Sequence, residues 1–314
     1  MADKLQKRGL VFLLATVCCL LWGSAYPFIK IGYQLFAIET TGSQILFAGC
    51  RFSMAGIMTW VIASVYKKEL VFPDRSEWTS IISLGLIQTS FQYLFFYIGL
   101  ANTTGVKAAI INPMSVFLVI FFAHLILKEK LTRYKIFGCL LGMAGVLIVQ
   151  LNGVSLNGDF KFLGEGFMLL ACLASALGTI MTRVYTKKSD AMTLTAFQLC
   201  FGGLVLIGVG LLSGGQIHPT NVLALLVLFY LAVLSATAFS VWTILIKHNP
   251  VGIVAVYSFM IPVFGVILSG LILGEAFLNL RTLFSLVCVS LGIWLVNRQP
   301  KVKANNSAEI GKKN

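Results

Sequence analysis

Apolar residues in this chain recur in long runs, and short polar breaks separate them. The first run, Leu10–Phe28, has no charged residue and is long enough to cross a bilayer as a helix. Read onward in the same way, the pattern predicts ten spans, at about 10–33, 42–66, 77–100, 105–127, 133–151, 163–185, 192–212, 222–246, 252–273 and 281–297. They divide the chain into a tail at 1–9, a five-helix repeat at 10–151, a connecting loop at 152–162, a second five-helix repeat at 163–297 and a polar, disordered tail at 298–314. The fold class expected is an all-α membrane protein.

Composition agrees. The chain of 314 residues is 58% hydrophobic and only 11% charged, with a mean hydropathy of +0.91. A soluble domain carries about a quarter charged residues. The net charge of +13 raises the question of nucleic acid, but no basic stripe with interleaved aromatics stands on a soluble segment. Lys4, Lys7 and Arg8 ahead of an apolar run resemble a signal peptide; the run is too long for that and further spans follow, so it reads as an uncleaved first helix. The seven cysteines all fall within spans without a C-x-x-C pair, and their odd number argues against a disulfide framework. His124, His218 and His248 lie far apart with no metal-ligand spacing. There is no phosphate-binding loop or zinc-protease motif, so neither a cofactor nor a metal is implied and the chain does not read as an enzyme. An intramembrane protease would need two buried aspartates or a buried Ser–His pair.

Lys and Arg set the expected orientation. With the N-terminus inside, only Lys107, Lys161 and Arg281 fall in outer segments and only Lys30 and Arg51 within spans, leaving nineteen of the 24 on the inner side. Both termini are therefore expected in the cytoplasm, and the localisation expected is the plasma (inner) membrane. The halves also repeat. Cys19-Leu20 and Lys30 align with Cys172-Leu173 and Arg183, Pro113 aligns with Pro262, and Leu125-Ile-Leu-Lys-Glu129 aligns with Leu271-Ile-Leu-Gly-Glu275, all at nearly one offset. Five spans per half is an odd number, so the second half enters the membrane from the opposite side. Inverted repeats around a central cavity are a transporter architecture.

Charge inside a membrane is the first place to look for chemistry. Lys30 either snorkels to the outer interface or faces the interior. Arg51 lies nearer the midplane, where snorkelling is harder; it binds a substrate or pairs with helix-end carbonyls. No Asp or Glu is within reach of the membrane centre. A site of this sign suits a carboxylate or another anion rather than a lipophilic cation. Polar and aromatic residues cluster at the same depth: Trp22, Ser24 and Tyr26 in the first span, Gln88, Gln92 and Tyr93 in the third, Asn112 in the fourth, Ser175 and Thr179 in the sixth, Ser240 and Trp242 in the eighth, Tyr257 and Ser258 in the ninth. Each either lines a substrate path or makes interhelical hydrogen bonds. Pro27, Pro113 and Pro262 are candidate hinges or helix breaks, or else permanent kinks for packing. Glu129 and Glu275 read as favouring the N-terminal dipoles of the fifth and tenth helices.

Leu21-Trp-Gly-Ser24 with Lys30, Arg51-Phe52, Pro262 with Leu273-Gly-Glu275, and glycines 138, 142 and 145 resemble the drug/metabolite transporter superfamily in its ten-helix EamA-type branch. The resemblance covers Leu10 to Asn297. It implies two inverted five-helix repeats around a central cavity and a plasma-membrane carrier, often an exporter of amino acids or related metabolites. The chain departs from the family pattern where Pro113 stands sixteen residues before Glu129, where Lys128 replaces a glycine, and where the sixth span lacks a tryptophan.

The function expected is a secondary transporter that moves small organic metabolites, most simply neutral or aromatic amino acids, outward by alternating access. Its partners are the bilayer and a small molecule carrying a carboxylate or other anionic group, with no nucleic acid and no obligate protein partner. A carrier of phosphorylated or sugar-linked metabolites is the alternative. A non-transporting receptor or assembly subunit is the reading from another class.

Overall fold

The computed structural model describes residues 5–103, 107–108, 111–150, 160–274 and 280–298. Within them ten helical rods follow one another: α1 Arg8–Leu35, α2 Thr41–Lys67, α3 Arg75–Asn102, α4 Met114–Leu127, α5 Arg133–Gln150, α6 Phe162–Tyr185, α7 Ala191–Leu212, α8 Val222–His248, α9 Val251–Leu273 and α10 Leu280–Asn297. Eight are long and apolar enough to cross a membrane; α4 is shorter and equally apolar. Among the described residues there is no strand. Local chemistry sets the starts. Thr40, Asp190 and Asn221 cap α2, α7 and α8, each side chain accepting from the backbone N–H three residues on.

The packing is unchanged when the two halves are exchanged. The helix α2 packs on α7 and α5 on α10; α1 lies against α8 and α9, as α6 lies against α3 and α4. Glycines let the two self-paired seams close. A Cβ on Gly203 would stand 2.5 Å from the backbone N of Ser53, and one on Gly49 would stand 2.6 Å from that of Ile207. In lipid, where apolar burial gives no net drive, this backbone approach supplies much of the association.

Helix breaks are where the expectation needs correcting. Helix α1 runs unbroken through Pro27. A proline removes one N–H from the ladder, and α1 is held before it by Gly23 against Phe264 of α9 and after it by Phe28, whose ring lies 4.4 Å from that of Tyr230 on α8. The irregular stretches lie elsewhere. The segment Gly85–Phe91 of α3 is π-helical, with Ser90 Oγ donating five residues back to Gly85 O at 3.2 Å. Helix α9 tightens to a 3-10 turn at Tyr257–Phe259, just before Pro262, and Pro113 stands at the N-cap of α4. The thiols fill matching places at two of these breaks: Cys19 Sγ donates to Tyr257 O at 3.2 Å and Cys172 Sγ to Ile111 O at 3.4 Å.

Glu129 also differs from expectation. Its carboxylate accepts from Val251 N at 2.5 Å and Gly252 N at 3.1 Å, with Lys135 Nζ at 3.2 Å. It therefore caps α9 across the molecule, not α5 beside it in sequence. Glu275 lies outside the described residues.

Candidate functional site

A cavity of about 300 Å³ lies between α1, α3, α4, α6, α8 and α9, with α2 and α5 each adding a residue to its wall. Its lining runs from the middle of the rods toward the face opposite the N-terminus. On the N-terminal side it is sealed by a buried cluster that includes Val11, Ala15, Cys18, Val119, Ala123, Val251 and Val254. Thirteen of the eighteen candidate residues line this cavity: Trp22, Tyr26, Arg51, Gln88, Gln92, Tyr93, Asn112, Pro113, Ser175, Thr179, Trp242, Ser258 and Pro262.

The floor is aromatic. Trp22 meets Trp242 edge-on at 5.1 Å and Phe239 at 5.5 Å, and Phe52 lies 4.4 Å from Tyr93. Arg51 stands among these rings, only 4% exposed, with its guanidinium carbon 5.1 Å from the Phe52 centroid. Its Nε donates to Ser235 Oγ at 2.7 Å and to Leu231 O at 3.3 Å on α8. These bonds hold one edge of the guanidinium in a residue that lines the cavity. Both readings of Arg51, structural and cavity-facing, thus describe the same side chain. The seam pairs Gly49 with Gly203, so the counterpart of Arg51 in the second half is the apolar Val205, and the repeat carries this charge on one side only. Nearer the start of α7, Gln198 accepts from Thr89 Oγ1 of α3 at 2.8 Å. Among the described lining residues Arg51 is the one charged side chain, and none is a carboxylate.

Amides and hydroxyls complete the wall. Thr182 Oγ1 donates to Gln88 Oε1 at 3.0 Å, which fixes that amide across α3 and α6. Gln88 sits inside the π-helical segment, whose wide turn displaces it from an ideal α-helical face; Gln88, Gln92, Tyr93 and Tyr97 nonetheless all reach the cavity. Among the described residues no group of His, Cys, Asp and Glu has the geometry of a metal site.

Five candidates are placed off the cavity. Ser24 Oγ is taken by Leu21 O and by Tyr230 OH, both at 2.7 Å. Lys30 is exposed beyond the cavity wall. Ser240 points away because Phe239 and Trp242, three apart, share the inner face of α8. Tyr257 is turned by the 3-10 segment toward α1, where its ring meets Phe12 at 6.1 Å, leaving Ser258 to face the cavity. Pro27 is buried inside the continuous α1. The residues that the sequence reading omitted from the site are mostly apolar: Ile29, Phe96, Val119, Val146, Phe239 and Phe259. In a chain this hydrophobic nothing marks them apart from lipid-facing residues.

Comparison with known proteins places the fold in context. The EamA-like transporter family matches the chain twice, over residues 9–151 and 162–298. An uncharacterized transporter of Archaeoglobus fulgidus is 30% identical over 84% of this chain and 89% of its own length. The transporter YvbV of Bacillus subtilis, also uncharacterized, is 28% identical over 98% and 97%. A chloroplastic WAT1-related protein of Arabidopsis thaliana is 26% identical over 88% and 66%. A crystal structure of a protein with 16% identity superposes at a TM-score of 0.75 over 92% of this chain and 98% of that one. Two matched repeats, ten rods around one cavity and transporters along its whole length make this chain a member of the EamA-like transporter family, a multi-pass membrane transporter of the drug/metabolite superfamily.

Proposed function

We propose that the protein is a secondary carrier of amino acids with neutral or aromatic side chains, working outward across the plasma membrane with both termini in the cytoplasm. The observation that carries the reading is Arg51: one buried cation, oriented by Ser235, in an aromatic cavity without a carboxylate. A guanidinium receives a carboxylate through parallel, charge-assisted hydrogen bonds. Trp22 and Trp242 offer ring surface to the body of the solute, and Gln92 and Tyr93 offer polar contacts for its amine. A cavity near 300 Å³ suits a small solute, at the lower end of ligand pockets, which span about 300–1,000 Å³. The basic residues gathered on the N-terminal side support the orientation. Transport follows from the seal and the cavity exchanging faces about the two self-paired seams.

Counterflow in proteoliposomes tests this. Vesicles loaded with unlabelled amino acids are offered labelled phenylalanine, methionine, threonine and glutamate. Trans-stimulated uptake of one or more, abolished in Arg51→Ala, is the result expected. Its absence for every amino acid, from protein that folds and inserts, overturns the amino-acid reading; trans-stimulated uptake of a sugar phosphate by the same vesicles would put the phosphorylated class in its place.

A further inference from the structure

A second hollow, of about 320 Å³, opens at the N-terminal face and plays no part in the site described above. It lies where the start of α1 and the end of α10 both lean on α9 rather than on each other. Gln6, Arg8, His248 and Asn297 stand around it, over a floor of Val11 and Ile253. The wall is built, not incidental. Asn249, 6% exposed, donates through its amide to Leu5 O at 3.1 Å and to Leu245 O at 3.0 Å, which pins the segment carrying Gln6 and Arg8 against the end of α8.

The electrostatics of this corner favour an anion. None of the described lining side chains is acidic. The carbonyls at the C-terminus of α8, which would repel an anion, are covered by Arg183, whose guanidinium donates to Ile246 O and Lys247 O. The carboxylate that reaches the start of α9, that of Glu129 just beyond α4, is occupied by two backbone amides and Lys135. What is left facing the hollow is a guanidinium, an imidazole and an amide.

The surroundings are apolar within one helical turn. Phe12 and Leu13 of α1 are 49% and 57% exposed, and Trp294 of α10 is 51% exposed with Arg298 over its ring at 4.6 Å. A tryptophan and arginines at the ends of apolar spans mark the level of lipid head groups. We infer that this hollow binds an anionic phospholipid of the leaflet on the N-terminal side, with the phosphate held by Arg8 and His248 and an acyl chain beside Phe12. A free phosphate would satisfy Arg8 and His248 but would make no use of the apolar flank. The tail after Arg298 is a poor occupant, because its Lys301, Lys303, Lys312 and Lys313 share the sign of the site.

Native mass spectrometry of delipidated protein tests this, with phosphatidylglycerol, phosphatidylcholine of the same chains, and glycerol phosphate as probes. One phosphatidylglycerol should be retained in preference to phosphatidylcholine. Arg8→Gln with His248→Gln should weaken it by about tenfold or more, as befits losing hydrogen bonds to a charged group. Lys187→Gln with Lys188→Gln, also basic and expected on the same side, should leave retention as in the wild type. An equal loss in both double variants would overturn the site in favour of diffuse surface charge. Displacement of the lipid by glycerol phosphate alone would overturn the lipid in favour of a soluble anion. Thermal melting of each variant reports folding, and if the first double variant does not fold, Arg8→Gln alone should show a smaller loss of the same kind; wild-type retention there would also overturn the site.

Discussion

Arg51 illustrates how one side chain serves packing and a proposed recognition role at once. Its Nε is committed to α8, so the effect of Ser235→Ala separates the two roles. That change removes a buried hydrogen bond to a charged group, worth about 1.5–3 kcal/mol. It should lower thermal stability while leaving solute affinity within a few-fold of wild type, because Leu231 O still accepts from Nε. Arg51→Lys should do the reverse in emphasis, weakening affinity about tenfold or more because an ammonium cannot present a planar fork. Quenching of Trp22 and Trp242 fluorescence by solute, read beside melting curves, checks both. At this scale the sequence was informative wherever a residue was chemically out of place in lipid. Arg51, Gln88 and Gln92 stood out because polar groups in a span need a reason. Ser24 and Ser240 stood out for the same reason and are off the cavity, since a hydroxyl in a helix serves equally well by bonding its own or a neighbouring rod. The apolar lining was not legible, because Phe239 and Val119 look like any other residue in an apolar helix.

Helices bring in close approach and caps. Seams between rods could be anticipated from glycines, but which glycine touches what could not. Gly203 faces the backbone of Ser53, whereas Gly208, five residues on and so on another face of the helix, has nothing within 4 Å of where its Cβ would be. Gly203→Ala should therefore destabilise the protein by about 1–3 kcal/mol through overpacking, and Gly208→Ala should be neutral or stabilising by up to about 1 kcal/mol. Melting temperatures of the pair decide it; equal effects would mean the seam is not as tight as described. Asp190 is the cap to examine by pH. Burial alone would raise its carboxyl, but the Thr193 N–H, Lys67, the Thr193 hydroxyl and Lys247 outweigh burial and hold it below the ordinary value. A carboxylate whose native pKa is depressed contributes stability above its unfolded pKa and loses it as pH falls through the native one. The contribution is modest, since the side chain is 43% exposed and screened. The melting difference between wild type and Asp190→Ala should thus be present near neutral pH and shrink as pH drops through about 4 and below. The π-helical turn at Gly85–Phe91 had no counterpart in the sequence pattern, because hydrophobic periodicity does not register one extra residue in a turn that is buried on several sides.

On the proposed alternating-access reading the inverted repeat gives the whole molecule two states, and Glu129 is placed to bias between them. In this structure the C-terminal end of α4 and the N-terminal end of α9 are tied together: the Glu129 carboxylate, just beyond α4, takes the first amides of α9, and His124 Nδ1 pairs with Glu129 O at 2.8 Å to fix the turn that carries it. These bonds belong to the state in which the N-terminal side is sealed, and they must break if α4 and α9 part there. Charge-assisted bonds to backbone amides are among the stronger single interactions available, so losing them should shift a balanced equilibrium strongly. Glu129→Gln removes the charge while keeping the size and one acceptor, and should populate the state open on the N-terminal side. In the sequence repeat Glu275 is the counterpart of Glu129 in the second half. Glu275→Gln should therefore shift the population the other way, toward the state with its N-terminal side sealed. Spin labels introduced near Lys128, at the end of α4, and Pro250, at the start of α9, give a distance that tests both variants together. Lengthening in Glu129→Gln with shortening or no change in Glu275→Gln fits opposed latches. Lengthening in both would mean that the two glutamates act alike, as general supports of the fold, and the pseudo-twofold would then govern architecture without governing the switch.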